Sequence, residues 1–119
     1  MAVKSTDDLV LALAVISQAI GRLIDTLDDR LDHTSDENER RQILLQLPSL
    51  ESRQLELQAK IIAIQAAANT FPMPSQATLK DLDTATTDLS LKTAAAQRTS
   101  VLLGLATNLL SAAEAVPRP

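Results

Sequence analysis

Cysteine, tryptophan and tyrosine are absent from this chain, and phenylalanine and histidine occur once each among 119 residues. Without cysteine there is no disulfide, no thiolate nucleophile and no Cys-based zinc site. A nucleophile and base pair would have to use His33, which sits in a short polar stretch away from any apolar run, so no catalytic residue is expected. The 2 glycines are too few to build a phosphate-cradling loop. Together with 5 prolines they are also too few to punctuate a β-sandwich or barrel, which needs a turn signal about every 8–12 residues.

Positive charge is scarce as a surface feature. The net charge is −4, with −3 in residues 1–34, −1 in 35–70 and zero in 71–119, and no Lys/Arg stripe stands on any one stretch. Aromatics amount to 1%, so bases would find nothing to stack on. A nucleic-acid partner is therefore not expected.

What the chain has instead is Leu, Ile, Val and Ala, a helix-forming palette within a 45% apolar composition. At this length a single domain buries a core without staples. The expected fold is all-α: an antiparallel three-helix bundle of long helices with coiled-coil-like packing, helix 2 being kinked at Pro48. Helix 1 is predicted over about residues 6–32, capped by Ser5 with Asp8 three positions on, and its inward stripe is Leu9, Leu13, Ile16, Ile20, Leu23, Leu27 and Leu31. Helix 2 is predicted over 35–69, with Thr34 as N-cap and Glu37 closing a capping box. Its seam, Ile43, Leu47, Leu50, Gln54, Leu57, Ile61, Ile64 and Ala68, keeps phase across Pro48, which favours one bent helix over two. Asp36 with Arg40, Glu37 with Arg41, and Glu56 with Lys60 are spaced as i,i+4 pairs on an outer face.

The segment NTFPMPS ends helix 2 by its two prolines, leaving a turn over 70–75 with Phe71 as a plug for the end of the bundle. Helix 3 is predicted over 76–116, capped by Ser75, with residues 117–119 as a tail. Leu79, Thr86, Thr93, Ser100 and Thr107 recur every seven residues along it, and Leu82, Leu89, Ala96, Leu103 and Leu110 form the companion series. The lengths do not match: about 39, 52 and 61 Å at the α-helical rise, so helix 3 overhangs helix 1 unless it bends.

The aspartates Asp25, Asp28, Asp29 and Asp32, with His33, share one side of helix 1. They read as a solvated face with Arg40 and Arg41 nearby, and no metal or cofactor is expected. The run Leu9 to Ile16 is preceded by Asp7 and Asp8, and its helical spacing continues past any signal-cleavage point. Neither cleavage nor a membrane span is expected, and a cytoplasmic setting is preferred to secretion without a cleaved leader.

Two stretches carry more apolar surface than a three-helix bundle uses. Residues 9–16 are apolar on every face, and residues 99–113 hold no charge. Leu9, Leu11, Val15, Val101, Leu102, Leu105, Leu109 and Val116 are thus the candidate partner-binding residues. The expected function is a protein–protein interaction module of adaptor, immunity or assembly type, its partner a second copy or another helical protein. The alternative is a peripheral, membrane-active helical protein. On this expectation, glutamine at Leu102 and Leu109 abolishes association and leaves helicity intact.

Overall fold

The structure is a computed structural model that describes residues 5–67, 70–91 and 97–117. Every element in it is a helix: α1 Thr6–His33, α2 Glu37–Ala66, α3 Gln76–Leu91 and α4 Thr99–Glu114. The all-α class therefore stands, and the helix count does not. The single helix predicted over 76–116 is two helices. Thr93 and Ala96 of its two heptad series, like Ala68 of the helix 2 seam, lie outside the described residues.

The division follows from the length mismatch. One helix over 76–116 would be about 61 Å long against about 42 Å for the 28 residues of α1, leaving the leucines after Val101 without a neighbour. Instead α4 runs back along the bundle. The start of α3 lies near Thr6 at one end of α1, by way of Met73, and the start of α4 meets Arg30 at the other, so the two helices run antiparallel, with a groove between them lined by Asp81, Ala85, Asp88, Asn108 and Ala112. Arg98 supplies the non-helical residue before α4, with φ −66° and ψ 152°. The two hydroxyl-bearing ends of the heptad series consequently fall apart. Thr86 is buried and donates its hydroxyl to the Leu82 carbonyl at 2.8 Å, whereas Ser100 faces solvent and Thr107 is half-buried.

Helices α1 and α4 occupy the middle of the arrangement, each packing on all three other helices, while α2 and α3 flank them and barely meet. This explains the composition. A helix with three neighbours must be apolar on most of its circumference, and the apolar residues of α1 and α4 exceed one stripe accordingly. Leu9, Leu13, Ile16, Ile20, Leu23 and Leu27 of α1 meet Leu102, Leu105, Leu109 and Leu110 of α4 in one core with Ile43, Leu50, Leu57 and Ile64 of α2 and Leu82 of α3.

Local signals place the helix ends with one shift. Ser5 Oγ accepts the Asp8 N–H at 3.2 Å and Ser75 Oγ accepts the Thr78 N–H at 3.3 Å. Helix α2, however, is capped by Asp36, whose carboxylate accepts from Asn38 and Glu39. Thr34 closes α1 instead, giving its N–H to the Arg30 carbonyl, and its hydroxyl accepts from Asp36 N. A carboxylate satisfies and charge-complements the helix N-terminus better than a threonine hydroxyl two residues earlier. Helix α2 continues through Pro48 as one element, with the ring on its solvent side. Phe71 is buried and Met73 is partly exposed, its sulfur accepting from the Thr6 hydroxyl.

Gly104 lies on the exposed side of α4, and a Cβ there would meet nothing within 4 Å. Helix propensity then acts alone, so Gly104→Ala is expected to stabilise the bundle by about 0.5–1 kcal/mol, read as a raised urea midpoint with unchanged slope. Gly21 differs, because its Cβ would come 3.0 Å from the amide nitrogen of Gln54. That amide donates to the Ser17 carbonyl at 3.1 Å, so Gln54 serves as a polar tie between α1 and α2.

Candidate docking surface

Five of the eight residues singled out as partner-binding lie inside the chain's own core. Leu9, Leu102 and Leu109 are 0% exposed, Val116 1% and Leu105 4%. Their surplus was surplus only for three helices; the fourth covers it. Leu102 and Leu109 are thus structural, and glutamine there breaks the bundle rather than an interface. Leu11 and Val101 retain exposure and Val15 is half-buried. They do not form one patch. Arg30 meets Thr99, so Val101 lies near the C-terminal end of α1, about 25 Å along the axis from Leu11.

Among the described residues the largest group of exposed hydrophobic side chains is on α2, with Leu11, Met73, Leu91 and Val101 exposed elsewhere. Leu44, Leu45, Leu55 and Ile62 are exposed by 54%, 73%, 66% and 66%, on a helix whose opposite side supplies Ile43, Leu47, Leu50, Leu57 and Ile64 to the core. One residue along an α-helix turns it by about 100° and two by about 200°, so two heptad seams offset by two positions and one in turn lie about 150° apart. The inner seam is the one read from the sequence. The outer one is Leu45, Pro48, Ser52, Leu55, Ala59, Ile62 and Ala66, stepping three and four in turn, and all seven residues are exposed. Composition could have revealed it, because α2 carries apolar residues in two phases at once. The inward phase, being continuous, masked the outward one.

Besides Gln54, polar ties at three levels hold α2 so that this face points away from the bundle. At the N-terminal end, Arg40 donates to the Leu31 carbonyl at 3.0 Å, and the Thr99 hydroxyl donates to Glu39 at 3.0 Å while accepting from Arg30 at 3.1 Å. Arg30 also donates to the Gln97 carbonyl. Midway, Arg53 makes a bidentate pair with Glu114, at 2.9 Å through Nε and 2.6 Å through Nη2. Toward the C-terminal end, Lys60 does not extend along an outer face toward Glu56. It is buried, and its ammonium donates to the carbonyls of Ala113, Glu114 and Val116 at 3.1, 3.2 and 2.7 Å. They lie at the C-terminal end of α4, where a cation suits the helix dipole, and the Ala113 carbonyl also accepts the Val116 N–H at 3.2 Å.

The hydrogen bonds and charge of Arg53 hold the Glu114 carboxyl below its ordinary value of 4.5. A carboxyl depressed by folding stabilises above its unfolded pKa, and that contribution disappears as pH falls through the lower folded value. Glu114→Gln is therefore expected to lose less stability than the wild type on acidification below pH 4.5, measured by urea titration at several pH values. The effect is small, since the Glu114 side chain is 41% exposed and solvent screens the pair. His33 is raised by its bond to the Asp29 carbonyl and by the Asp29 charge, on a fully solvated turn. Asp25, Asp28, Asp29 and Asp32 are exposed, and among the described residues no group of three or more His or acidic side chains is placed to hold a metal ion.

A shallow groove of about 310 Å³ runs beside the outer seam, between Gln42 and Gln46 of α2 and Ser100, Gly104 and Thr107 of α4. Leu103 and Asn108 line it as well, and more of its surface is apolar than polar. On this side of the molecule the exposed aliphatic side chains of the outer seam lie next to that groove. By length and composition α1 is long and apolar enough to cross a membrane, contrary to the reading of residues 9–16 alone, but half of that stretch is buried in the bundle. No protein-family model, no curated protein and no solved structure matches the chain.

Proposed function

We propose that the chain is a helical-bundle protein–protein interaction module of adaptor, immunity or assembly type, which docks an amphipathic helix on the outer face of α2. The observation that carries this reading is the exposed heptad seam through Leu45, Leu55 and Ile62 on a helix whose inner face already fills the core. Burying each such side chain is worth roughly 1.5–3 kcal/mol, a gain that only a partner can supply at these positions. A helix is the matching shape, because a seam of alternating three- and four-residue steps accepts knobs from another helix.

The test is the double variant Leu55→Gln with Ile62→Gln. It is expected to keep the wild-type helicity and urea midpoint, since both side chains are exposed, and to lose association with helical partners in sedimentation and cross-linking experiments. Retention of every association by the folded variant would refute the reading.

A second reading, a peripheral or membrane-active helical protein, is favoured by the length and apolarity of α1. It requires the bundle to open, because the apolar side of α1 is the core. Flotation with neutral and with anionic vesicles decides it: bound protein supports this reading, and unbound protein with both removes it.

A further inference from the structure

We infer that the helix taken by the outer face of α2 is a basic one, with lysine or arginine on both sides of its apolar stripe. This rests on the proposed docking face and adds the charge of the partner. Between Leu45 and Ala66, α2 carries four charged residues, Glu51, Arg53, Glu56 and Lys60. The fold sorts them by sign. Both cations turn toward the bundle, Arg53 onto Glu114 and Lys60 onto the carbonyls at the end of α4. Both carboxylates belong to exposed residues of the outer half.

Glu51 stands one residue before Ser52 of the outer seam and Glu56 one residue after Leu55, so they flank the seam on opposite sides. These are the e and g positions of a heptad helix, whose charges set partner choice and orientation in helix pairs. The other e and g residues between Leu45 and Ala66, namely Ser49, Gln58, Ala63 and Gln65, are neutral. The rim therefore holds negative charge on each side and no cation. Its two carboxylates are not equivalent. Glu51 has Leu47, Pro48, Gln54 and Leu55 as its neighbours at three and four residues, so nothing on α2 offsets its charge. Glu56 lies one turn from Arg53, a cation that it shares with Glu114.

A partner helix with acidic flanks meets like charge at both carboxylates, and one with neutral flanks gains nothing from them. Lysine or arginine flanks meet opposite charge on both sides of the seam. The net charge of the whole chain, −4, acts in the same direction, drawing a cationic helix in and opposing a second copy.

The probes are two synthetic peptides of about 21 residues, three heptads with leucine in the seam, one with lysine at every flanking position and the other with glutamate. In fluorescence anisotropy at about 0.05 M salt, the lysine peptide is expected to bind the wild type about 3- to 30-fold more tightly, with the ratio shrinking toward one at about 1 M salt. The Leu55→Gln, Ile62→Gln variant is expected to bind neither. Glu51→Lys with Glu56→Lys is expected to reverse the preference, the Glu51 exchange contributing the larger share. Asp28→Lys with Asp29→Lys, at exposed positions of α1, changes the net charge by the same amount and is expected to leave the lysine peptide preferred.

Equal binding of the two peptides, or binding of neither, overturns the inference, and so does a preference that the α1 exchanges reverse as readily as the α2 ones. Equal binding that disappears in the Leu55→Gln, Ile62→Gln variant overturns only the choice of charge and leaves the docking face standing. Binding of both peptides undiminished in that variant removes the face as well.

Discussion

Leu109→Gln is expected to unfold the protein. Leu109 is fully buried on α4, the helix that packs against α1, α2 and α3. Truncating a buried leucine costs about 2–5 kcal/mol, the upper part of the range applying where neighbours cannot collapse into the space. Here the surroundings are held on three sides. An amide placed in that position without a partner adds about 1–3 kcal/mol. The sum is comparable with the whole stability of a domain, about 5–15 kcal/mol, and the chain has no disulfide to fall back on. Circular dichroism should show loss of cooperative melting for Leu109→Gln and a strongly lowered midpoint for Leu109→Ala. Leu55→Gln, on the outer face of α2, should stay within about 0.5 kcal/mol of the wild type. Equal tolerance at both positions would contradict the burial that separates them.

Lys60→Met is expected to cost about 2–3 kcal/mol even though it exchanges a charged side chain for an apolar one of similar length. Lysine buried without partners would favour such an exchange, and the sign therefore depends on what the ammonium does. Its three bonds to the carbonyls of Ala113, Glu114 and Val116 end α4 and tie it to α2. Removing the cation takes their donor from the Glu114 and Val116 carbonyls, while Ala113 keeps the Val116 N–H. Loss should appear first in α4: amides of its last turn should exchange with deuterium faster than those of α1, while the urea midpoint falls. Lys60→Arg should not restore the wild type fully, because a planar guanidinium cannot reach three carbonyls arranged around a point charge. A neutral or stabilising Lys60→Met would mean that the lysine is a burden on the core instead of a cap.

Periodicity made α1 and the inner side of α2 legible. Leu9, Leu13, Ile16, Ile20, Leu23 and Leu27 are all buried as their spacing requires, and Ile43, Leu47, Leu50, Leu57 and Ile64 likewise. The division of residues 76–116 was not legible locally, because nothing at Gln97 or Arg98 is a strong helix breaker; the two prolines that end α2 have no counterpart there. It was legible globally in the overhang of about 19 Å that a single third helix would have left beyond α1. The candidate site moved for the same reason. Apolar excess in α1 and α4 signals a helix with three neighbours as readily as a helix awaiting a partner, and the sequence pattern is identical for both. Lys60 was misplaced because i,i+4 spacing with Glu56 does not say on which side of the helix the longer side chain finds its acceptors. The outer seam of α2 alone was present in the sequence, in phase, and overlooked beside a longer one.

The largest group of free apolar side chains is on α2, and most of the apolar excess of α1 and α4 is enclosed. Thiol accessibility tests it directly in a chain without cysteine of its own. Single variants Leu55→Cys and Ile62→Cys are compared with Leu105→Cys and Leu109→Cys, at about 1 μM so that association does not shield the face. The account predicts that the α2 thiols react with a maleimide at the rate of a free cysteine. The α4 thiols should react only through unfolding, slowed by several orders of magnitude and accelerated by urea in step with the folding equilibrium. Fast reaction at positions 105 and 109, with protection at 55 and 62, would contradict it.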